Sequence, residues 1–295
     1  MKNTSLYKIY LDLRVRYERQ KICLTPKEQY IKDRWESTFN KKLNLENPTT
    51  FNEKIQWSKL YANNDLAKLC ADKIKVLDYV QDKIGSEYTN EIIAIYPNTK
   101  NIDFSKLPPQ FVLKANHDSG SVLIVKDRNN IDFEKLKKIE RNLKLNYGRF
   151  SKEWVYDDIQ PQIIIEKLLE SEDGKSLKDY KIFCFNGQPK IIQVDLERFE
   201  GHRRNLYDTN WNRLDLEIEN PNADYDVKKP ELLNEMLEIT KVLARPFNHV
   251  RVDWYIHRNK LIFGEMTFFH GSGFQKFNSI EWEKKWVVGL KYLRI

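Results

Sequence analysis

The first third of the chain carries apolar residues at helical spacing. From Asp65 onward they share one face of a helix until Gly85, a residue type that commonly follows a helix end, interrupts the pattern. The residues on that face are Leu69, Val76, Val80 and Ile84. The pattern predicts one continuous helix from Asp65 to Gly85 and a mostly α-helical region over residues 1–90.

Two polar clusters predict where earlier helices begin. Thr25 and Glu28 have the spacing of a capping box, and Pro26 between them suits the first turn of a helix. Thr50 and Glu53 repeat the spacing. In a capping box each side chain bonds the other residue's backbone N–H, so a helix is expected to start at both sites.

Beyond about residue 90 the apolar residues alternate with polar ones, as they do in strands. FVLKAN and SVLIVKD form a predicted hairpin around a His-Asp-Ser-Gly loop, and Asn186-Gly187 is the dipeptide that most favours a two-residue turn between strands. QIIIEKLLE reads as a buried strand, and VRVDWYI with LIFGEMTFF as a final pair. Helices are predicted after Asp132, after Pro230 and in the Trp-rich C-terminal segment. The fold class is α+β.

Composition narrows the class of protein. The 295 residues are 41% hydrophobic and 32% charged, which is ordinary for a folded protein in water and excludes a disordered or fibrous chain. Lys and Arg exceed Asp and Glu by seven, but the charges are scattered, so nucleic-acid binding is disfavoured. The three cysteines are far apart, and no apolar run is long enough to span a membrane. We expect a cytoplasmic protein without disulfides.

Several common catalytic motifs are missing from the sequence. Gly174-Lys175-Ser176 lacks the preceding glycine of a P-loop, and Gly271-Ser272-Gly273 lacks the third glycine and the βαβ unit of a dinucleotide fingerprint. No HExxH or GxSxG occurs. Asp224-Tyr225-Asp226 matches the DxD pattern of metal-dependent glycosyltransferases, but acidic triplets are common, and this one precedes a predicted helix where acids are favoured.

The final strand pair carries charged residues where a core is expected. Alternation places Arg251 and Asp253 on one face of their strand, and Glu265 and Thr267 on one face of theirs. If the turn at 258–260 has three residues, Asp253 lies directly opposite Glu265, and two such carboxylates can bind Mg²⁺. A two-residue turn would not align the faces. The alternative is the solvated face of an edge hairpin, which the apolar neighbours disfavour.

Two further segments suit nucleotide binding. Lys114 ends an apolar strand before the flexible turn Ser119-Gly120-Ser121, a combination that can hold phosphate oxygens through a point charge and backbone N–H groups. The strand that ends at Glu166-Lys167-Leu168 can present its backbone to a flat base, and Asp173 follows it. Taken singly, the first segment fits an ordinary hairpin with a surface lysine equally well, and the second fits an ordinary core strand.

In combination the motifs resemble those of the ATP-grasp ligases, and more specifically the TupA-like branch found with bacterial surface-polysaccharide genes. The segments that carry the resemblance lie between Asn47 and Asn278 and are NPTTFNEKIQW, FVLKANHDSGSV, LKDYKIFCFNG, HRRNLYD, RVDWY and FGEMTFFHGSGF. The resemblance implies two lobes whose antiparallel sheets clasp ATP. It divides the chain into a helical region over 1–90, a small lobe over 91–165 and a large lobe over 166–295.

The resemblance also implies roles for individual residues. It implies that Lys114 and Lys181 hold the ATP phosphates, that Ser119, Gly120 and Ser121 fold over them, that Glu166, Lys167 and Leu168 line the adenine, and that Asp173 bonds the ribose. Arg251 would face the transferring phosphoryl group. Asp253 and Glu265 would hold Mg²⁺ with Thr267, which stands where most ATP-grasp enzymes have Asn.

The implied reaction is the ATP-dependent joining of a carboxylate to an amine through an acyl phosphate. Gly271, Ser272 and Gly273 would contact the carboxylate, and Arg203 or Arg204 would bind an anionic group. The alternative is that one of the two arginines is solvated and the other forms a structural ion pair. A uronic acid, free or linked to a nucleotide or lipid, is the expected carboxylate. Two other classes stay open, namely a glycosyltransferase that uses Asp224 and Asp226, and a sugar-binding module.

Overall fold

The computed structural model describes residues 4–170, 177–196 and 201–287. Helices dominate the first part, as predicted, and no strand occurs there among residues 4–90. The helices are α1 (Thr4–Leu24), α2 (Lys27–Phe39), α3 (Phe51–Tyr61), α4 (Asp65–Ala71), α5 (Lys75–Ile84), α6 (Phe133–Asn142), α7 (Tyr147–Ser151), α8 (Leu233–Ala244) and α9 (Ile280–Lys285).

One of the two predicted capping boxes is confirmed. The Thr50 side chain accepts a hydrogen bond from the Glu53 backbone, and the Glu53 side chain accepts one from the Thr50 backbone. At the other site a helix does begin, since α2 starts at Lys27, but the predicted capping box does not form. The Thr25 hydroxyl instead donates 2.8 Å back to the Lys21 carbonyl oxygen at the end of α1. The predicted continuous helix from Asp65 is broken into α4 and α5 at residues 72–74.

The first sheet is antiparallel and has the strand order β1-β4-β2-β3. Its strands are β1 (Ile92–Tyr96), β2 (Phe111–Ala115), β3 (Val122–Val125) and β4 (Ile163–Lys167). The predicted hairpin is β2 with β3, in which Lys114 lies opposite Val122. One face of the sheet packs on α6, which the Asp132 side chain caps as predicted. The predicted lobe boundary at residues 165 and 166 falls within β4 and stays a prediction.

The second sheet is also antiparallel, in the order β7-β6-β5-β8-β9. Its strands are β5 (Asp179–Phe185), β6 (Gln188–Leu196), β7 (Arg203–Asp208), β8 (His249–His257) and β9 (Lys260–Thr267). The Asn186-Gly187 turn joins β5 to β6 as predicted, with both residues at positive φ. The largest apolar core surrounds this sheet and includes residues of α3, α5 and α8.

The β8–β9 pair reaches the predicted alignment by a different route. Its turn has two residues, Arg258 and Asn259, both at positive φ, rather than three. The register then shifts by one residue between Asp253 and Trp254, which leaves Gly264 as the extra residue of a bulge. Asp253 therefore lies opposite Glu265. A side chain at 264 would meet the Asp253 carbonyl oxygen at 3.1 Å, so glycine suits this close approach.

No helix in the described part of the chain is both long enough and apolar enough to cross a membrane.

Candidate active site

A buried network centred on Arg251 joins β8 and β9. Nε and Nη2 of Arg251 each donate 2.6 Å to a carboxylate oxygen of Asp253, and Nη2 also donates 3.0 Å to Glu265 Oε1. Arg251 and Asp253 are buried, whereas the side chain of Glu265 is 42% exposed to solvent. Strand β8 lies between β5 and β9 and its charged residues Arg251 and Asp253 are buried. This contradicts the alternative of a solvated edge hairpin.

The charges of Arg251 and Glu265 are stabilised by their partners. Burial alone would lower the pKa of Arg251, but the carboxylates of Asp253 and Glu265 raise it, so the guanidinium stays charged. Burial alone would raise the pKa of Glu265, but Arg251, Lys73, Lys181 and the Thr267 hydroxyl together lower it. At Asp253 burial has the larger effect and raises the pKa. Thr267 donates 3.1 Å to Glu265 Oε1, so the hydroxyl lies beside this carboxylate.

Lys181 extends the network to β5 and β6. Its Nζ lies 2.6 Å from Asp179 Oδ2, 3.3 Å from Asp195 Oδ2 and 3.5 Å from Asp253 Oδ2. Arg204 of β7 reaches the same group through a 2.8 Å bond from its Nε to Asp195 Oδ1. Four carboxyl groups thus interact with four cations, counting Glu265, Arg251 and Lys73, whose charge lowers the pKa of Glu265.

Lys73 was missed by the sequence analysis. It lies in the break between α4 and α5, where its Nζ donates 2.5 Å to the Asp118 carbonyl oxygen. Burial lowers its pKa, and the charges of Glu265 in one sheet and Glu166 in the other raise it. Its Nζ thus contacts the loop after β2, and its charge interacts with carboxylates of both sheets. The helical pattern hid it, because the break depends on contacts such as the 3.2 Å bond from the Lys73 backbone N–H to the Asn116 carbonyl oxygen.

The first sheet brings Lys114 and Glu166 together. Lys114 Nζ lies 2.5 Å from Glu166 Oε2, across the paired strands β2 and β4. In the following loop Ser119 and Gly120 are exposed, and Gly120 has a φ of +100° with open space where a side chain would be. Ser121 is buried and hydrogen-bonds Asp118 and Asn142. Only the tip of the loop is thus available to a ligand.

The other predicted binding residues have varied positions. Lys167 is exposed and Leu168 half-buried at the end of β4, whereas Asp173 lies outside the described residues. Arg204 is buried, and its Nη1 also donates 2.8 Å to the Ile218 carbonyl oxygen. Arg203 is exposed. Of the two arginines, Arg203 is the one whose surroundings leave its side chain open to solvent.

The loop after β9 has an unusual backbone. Gly271, Ser272 and Gly273 have φ angles of 54°, 56° and 67°, three successive left-handed residues. The preceding His270 is buried, and its Nδ1 accepts a 2.6 Å hydrogen bond from Arg251 Nη1. Burial lowers the pKa of His270 well below its usual range, and the charge of Arg251 lowers it further, so the ring is neutral. His270 thereby links the loop to the guanidinium.

The site fits Mg²⁺ by the chemistry of its donors. Asp253 and Glu265 offer carboxylate oxygens and Thr267 a hydroxyl, and Mg²⁺ binds few protein oxygens together with phosphate oxygens and water. No group of three or more His, Cys, Asp or Glu residues with metal-binding geometry occurs in the described ranges. The rival Asp224 and Asp226 are exposed, with Asp226 Oδ1 3.0 Å from Arg213 Nη1.

Comparisons with known proteins agree with the motifs. The family described as TupA-like ATPgrasp matches residues 53–286. No curated protein matches the chain. Among solved structures, D-alanine–D-alanine ligase from Bacillus anthracis, complexed with ATP, is similar over 77% of this chain and 62% of its own, with 14% identity and a TM-score of 0.41.

Two other solved structures show the same level of similarity. D-Alanine–D-alanine ligase from Helicobacter pylori matches 74% of this chain and 61% of its own, with 14% identity and a TM-score of 0.41. Phosphoribosylamine–glycine ligase from Thermotoga maritima matches 69% of this chain and 48% of its own, again with 14% identity and a TM-score of 0.41. The chain spans less than two thirds of the length of each.

Proposed function

We propose that this chain, which belongs to the TupA-like ATP-grasp family, is an ATP-dependent ligase that activates a carboxylate as an acyl phosphate and joins it to an amine. The observation that carries the proposal is the buried face on which Arg251 contacts both Asp253 and Glu265. Buried charges gathered in this way are characteristic of sites that bind a charged ligand.

The nucleotide is proposed to lie between the two sheets. Lys114 and Lys181 hold phosphate oxygens, and Ser119 and Gly120 at the loop tip cover them while the buried Ser121 anchors the loop through Asp118 and Asn142. The end of β4 at Glu166, Lys167 and Leu168 lines the base. Lys73 adds a third cation, supported by its bond to the carbonyl oxygen of Asp118, the residue before Ser119. Asp173 is retained as the proposed ribose ligand.

Magnesium is proposed to bind Asp253 and Glu265, with Thr267 beside them, and when bound it would neutralise phosphate charge. Arg251 then orients the phosphoryl group. Its two parallel bonds to Asp253 fix the plane of the guanidinium, and His270 fixes the remaining edge. A charge held in this way needs no reorganisation when negative charge develops on the transferring group.

The carboxylate substrate is proposed to meet the loop Gly271-Ser272-Gly273. The loop follows the strand that carries Glu265, and His270 ties it to Arg251. Gly271 is exposed, so a ligand can approach the backbone there, whereas Gly273 is buried. The activated oxygen would thus lie next to the phosphoryl site, which is the arrangement that acyl phosphate formation requires. The amine then attacks the acyl carbon and phosphate leaves.

A uronic acid of a bacterial surface polysaccharide, free or linked to a nucleotide or lipid, is the proposed source of the carboxylate. The support is the exposed guanidinium of Arg203, which suits a second anionic group such as the phosphate of a carrier. The enzyme is proposed to act in the cytoplasm, where ATP is supplied.

The test is an ADP-release screen. Purified protein, ATP and Mg²⁺ are combined with glucuronate, galacturonate or their UDP derivatives and with each of a panel of amino acids and amines. We expect ADP formation that needs both a carboxylate and an amine, together with an amide product detected by mass spectrometry. Glu265→Gln serves as the inactive control.

Three outcomes would overturn the proposal. One is thermal stabilisation by UDP-sugar but not by Mg-ADP or Mg-ATP, since a ligand of the native state must stabilise it. Another is sugar transfer without ADP release. The third is ADP release that persists in Glu265→Gln, which would exclude the assigned metal carboxylate.

A further inference from the structure

One face of α3 is built to hold the loop after β9. Asn52, Gln56 and Lys59 follow one another at about one helical turn, and all three donate to backbone carbonyl oxygens of the loop segment 272–275. Asn52 Nδ2 reaches the Gln275 carbonyl oxygen at 2.7 Å, and Gln56 Nε2 reaches that of Gly273 at 2.7 Å. Asn52 and Gln56 belong to NPTTFNEKIQW, the motif to which the proposed function gives no role, and Lys59 lies two residues beyond it.

The loop requires such support because of its conformation. Ser272 has φ 56° and ψ 18°, the left-handed region that residues other than glycine rarely occupy. Gly273 packs so closely on α3 that a Cβ there would lie 2.6 Å from Gln56 Nε2 and 2.7 Å from Ile55 Cγ2. The strained residue therefore sits directly against the helix.

Lys59 makes the strongest of these contacts. Its Nζ donates 2.9 Å to the Ser272 carbonyl oxygen and 2.6 Å to Ser272 Oγ, so one ammonium grips both the backbone and the side chain of the strained residue. Lys59 is completely buried, and Glu153 Oε1, 3.6 Å away, provides its counter-charge. Burial lowers the pKa of Lys59 to about 8, so it is still charged at neutral pH.

We propose that Lys59 is a positioning residue that locks Ser272 in its left-handed conformation and thereby fixes the loop that receives the carboxylate substrate. The functional half of this inference rests on the proposed function. Because His270 immediately precedes the loop and bonds Arg251, the lock also limits the movement of the guanidinium edge. The helical N-terminal region would thus complete the site rather than only flank it.

The first test measures hydrogen exchange of the loop. The Ser272 and Phe274 amides donate within the turn, to the Phe269 and Gly271 carbonyl oxygens, and report its opening. In Lys59→Met, which keeps an unbranched apolar chain but removes the donors, we expect a peptide over 268–275 to exchange roughly tenfold faster or more. Ser272→Ala removes the hydroxyl that bonds Lys59 and Glu153 but keeps the backbone carbonyl that Lys59 also contacts. It should give a smaller increase and keeps the test available if Lys59→Met does not fold.

Lys152→Met is the matched control. Lys152 is also buried, and its Nζ also donates to a backbone carbonyl oxygen, that of Thr25 at 2.8 Å, but it does not contact the loop. We expect this variant to lose stability without faster exchange of the loop peptide. The proposal is overturned if Lys59→Met and Ser272→Ala leave loop exchange unchanged, or if Lys152→Met accelerates it equally.

The second test separates positioning from nucleotide binding. For the uronate and amine that react in the ADP-release screen, Lys59→Met should raise KM for the uronate at least tenfold, while the Kd for Mg-ADP changes less than about twofold. Equal losses in both constants would refute positioning of the carboxylate loop. If the screen finds no reaction but loop exchange responds as expected, Lys59 holds the loop and the proposed function fails. If the screen finds a reaction but loop exchange does not respond, only the role of Lys59 is refuted.

Discussion

The histidine at the start of β8 gives a prediction whose size follows from its surroundings. His249 is 1% exposed and packs parallel to Phe185 with the ring centres 5.1 Å apart, and edge-on to Phe51 at 5.2 Å. Nδ1 lies 3.2 Å from the Cys184 carbonyl oxygen. A ring held among aromatic side chains is costly to charge, so burial, aided by the charge of Arg251, lowers its pKa to about 4.

This lowered pKa makes the free energy of unfolding depend on pH. The unfolded chain protonates His249 near pH 6.5, whereas the folded chain does so only near pH 4. Between these values the unfolded state binds more protons, so the contribution is complete above pH 6.5 and is lost as pH falls. At pH 5 the loss from this one group is about 2 kcal/mol.

The measurement compares urea unfolding of the wild-type protein and His249→Phe at about pH 8 and pH 5, followed by tryptophan fluorescence. Phenylalanine keeps the aromatic packing and cannot take up a proton. We expect the wild-type protein to lose about 2 kcal/mol more than the variant between the two pH values. Equal losses in both proteins would show that His249 is not held neutral and would refute the reasoning.

Three further predictions concern the candidate site and use ADP release as the assay. Glu265→Gln should abolish activity with the thermal unfolding midpoint nearly unchanged, whereas Asp224→Asn should be almost silent; the opposite ranking would favour the glycosyltransferase. Arg251→Lys should lower kcat roughly 100-fold with little change in the KM for ATP, because an ammonium cannot reproduce the paired bonds to Asp253. A near-normal kcat would show that Arg251 is only a structural ion-pair partner. Lys114→Ala should mainly raise the KM for ATP, and an unchanged KM would remove it from the phosphate site.

Features that depend on neighbouring residues could be predicted from the sequence. The Thr50 capping box, the Asp132 cap and the Asn186-Gly187 turn are confirmed, because each is decided by hydrogen bonds or φ angles within a few residues. The alternation that put Arg251 and Asp253 on one face is equally local. The α+β fold class followed from these elements together with the family motifs.

The register of the metal carboxylates was reached for a reason that the sequence did not reveal. The turn of β8 and β9 is shorter than the three residues on which the prediction depended, and the bulge at Gly264 restores the alignment. A bulge depends on how two strands fit the whole sheet, so alternation within either strand does not disclose it. The roles of the site residues stay predictions.

Other features were decided only by contacts between distant parts of the chain. The break between α4 and α5, where the Lys73 backbone N–H donates to the Asn116 carbonyl oxygen, interrupts a regular helical pattern. Lys59 and Ser272 are separated by 213 positions in the sequence. Local pattern determined which segments become helices and strands, because backbone hydrogen bonding and amphipathic spacing act over a few residues. Burial decided which charges face each other, since a buried ion needs a partner that only the folded chain can bring within reach.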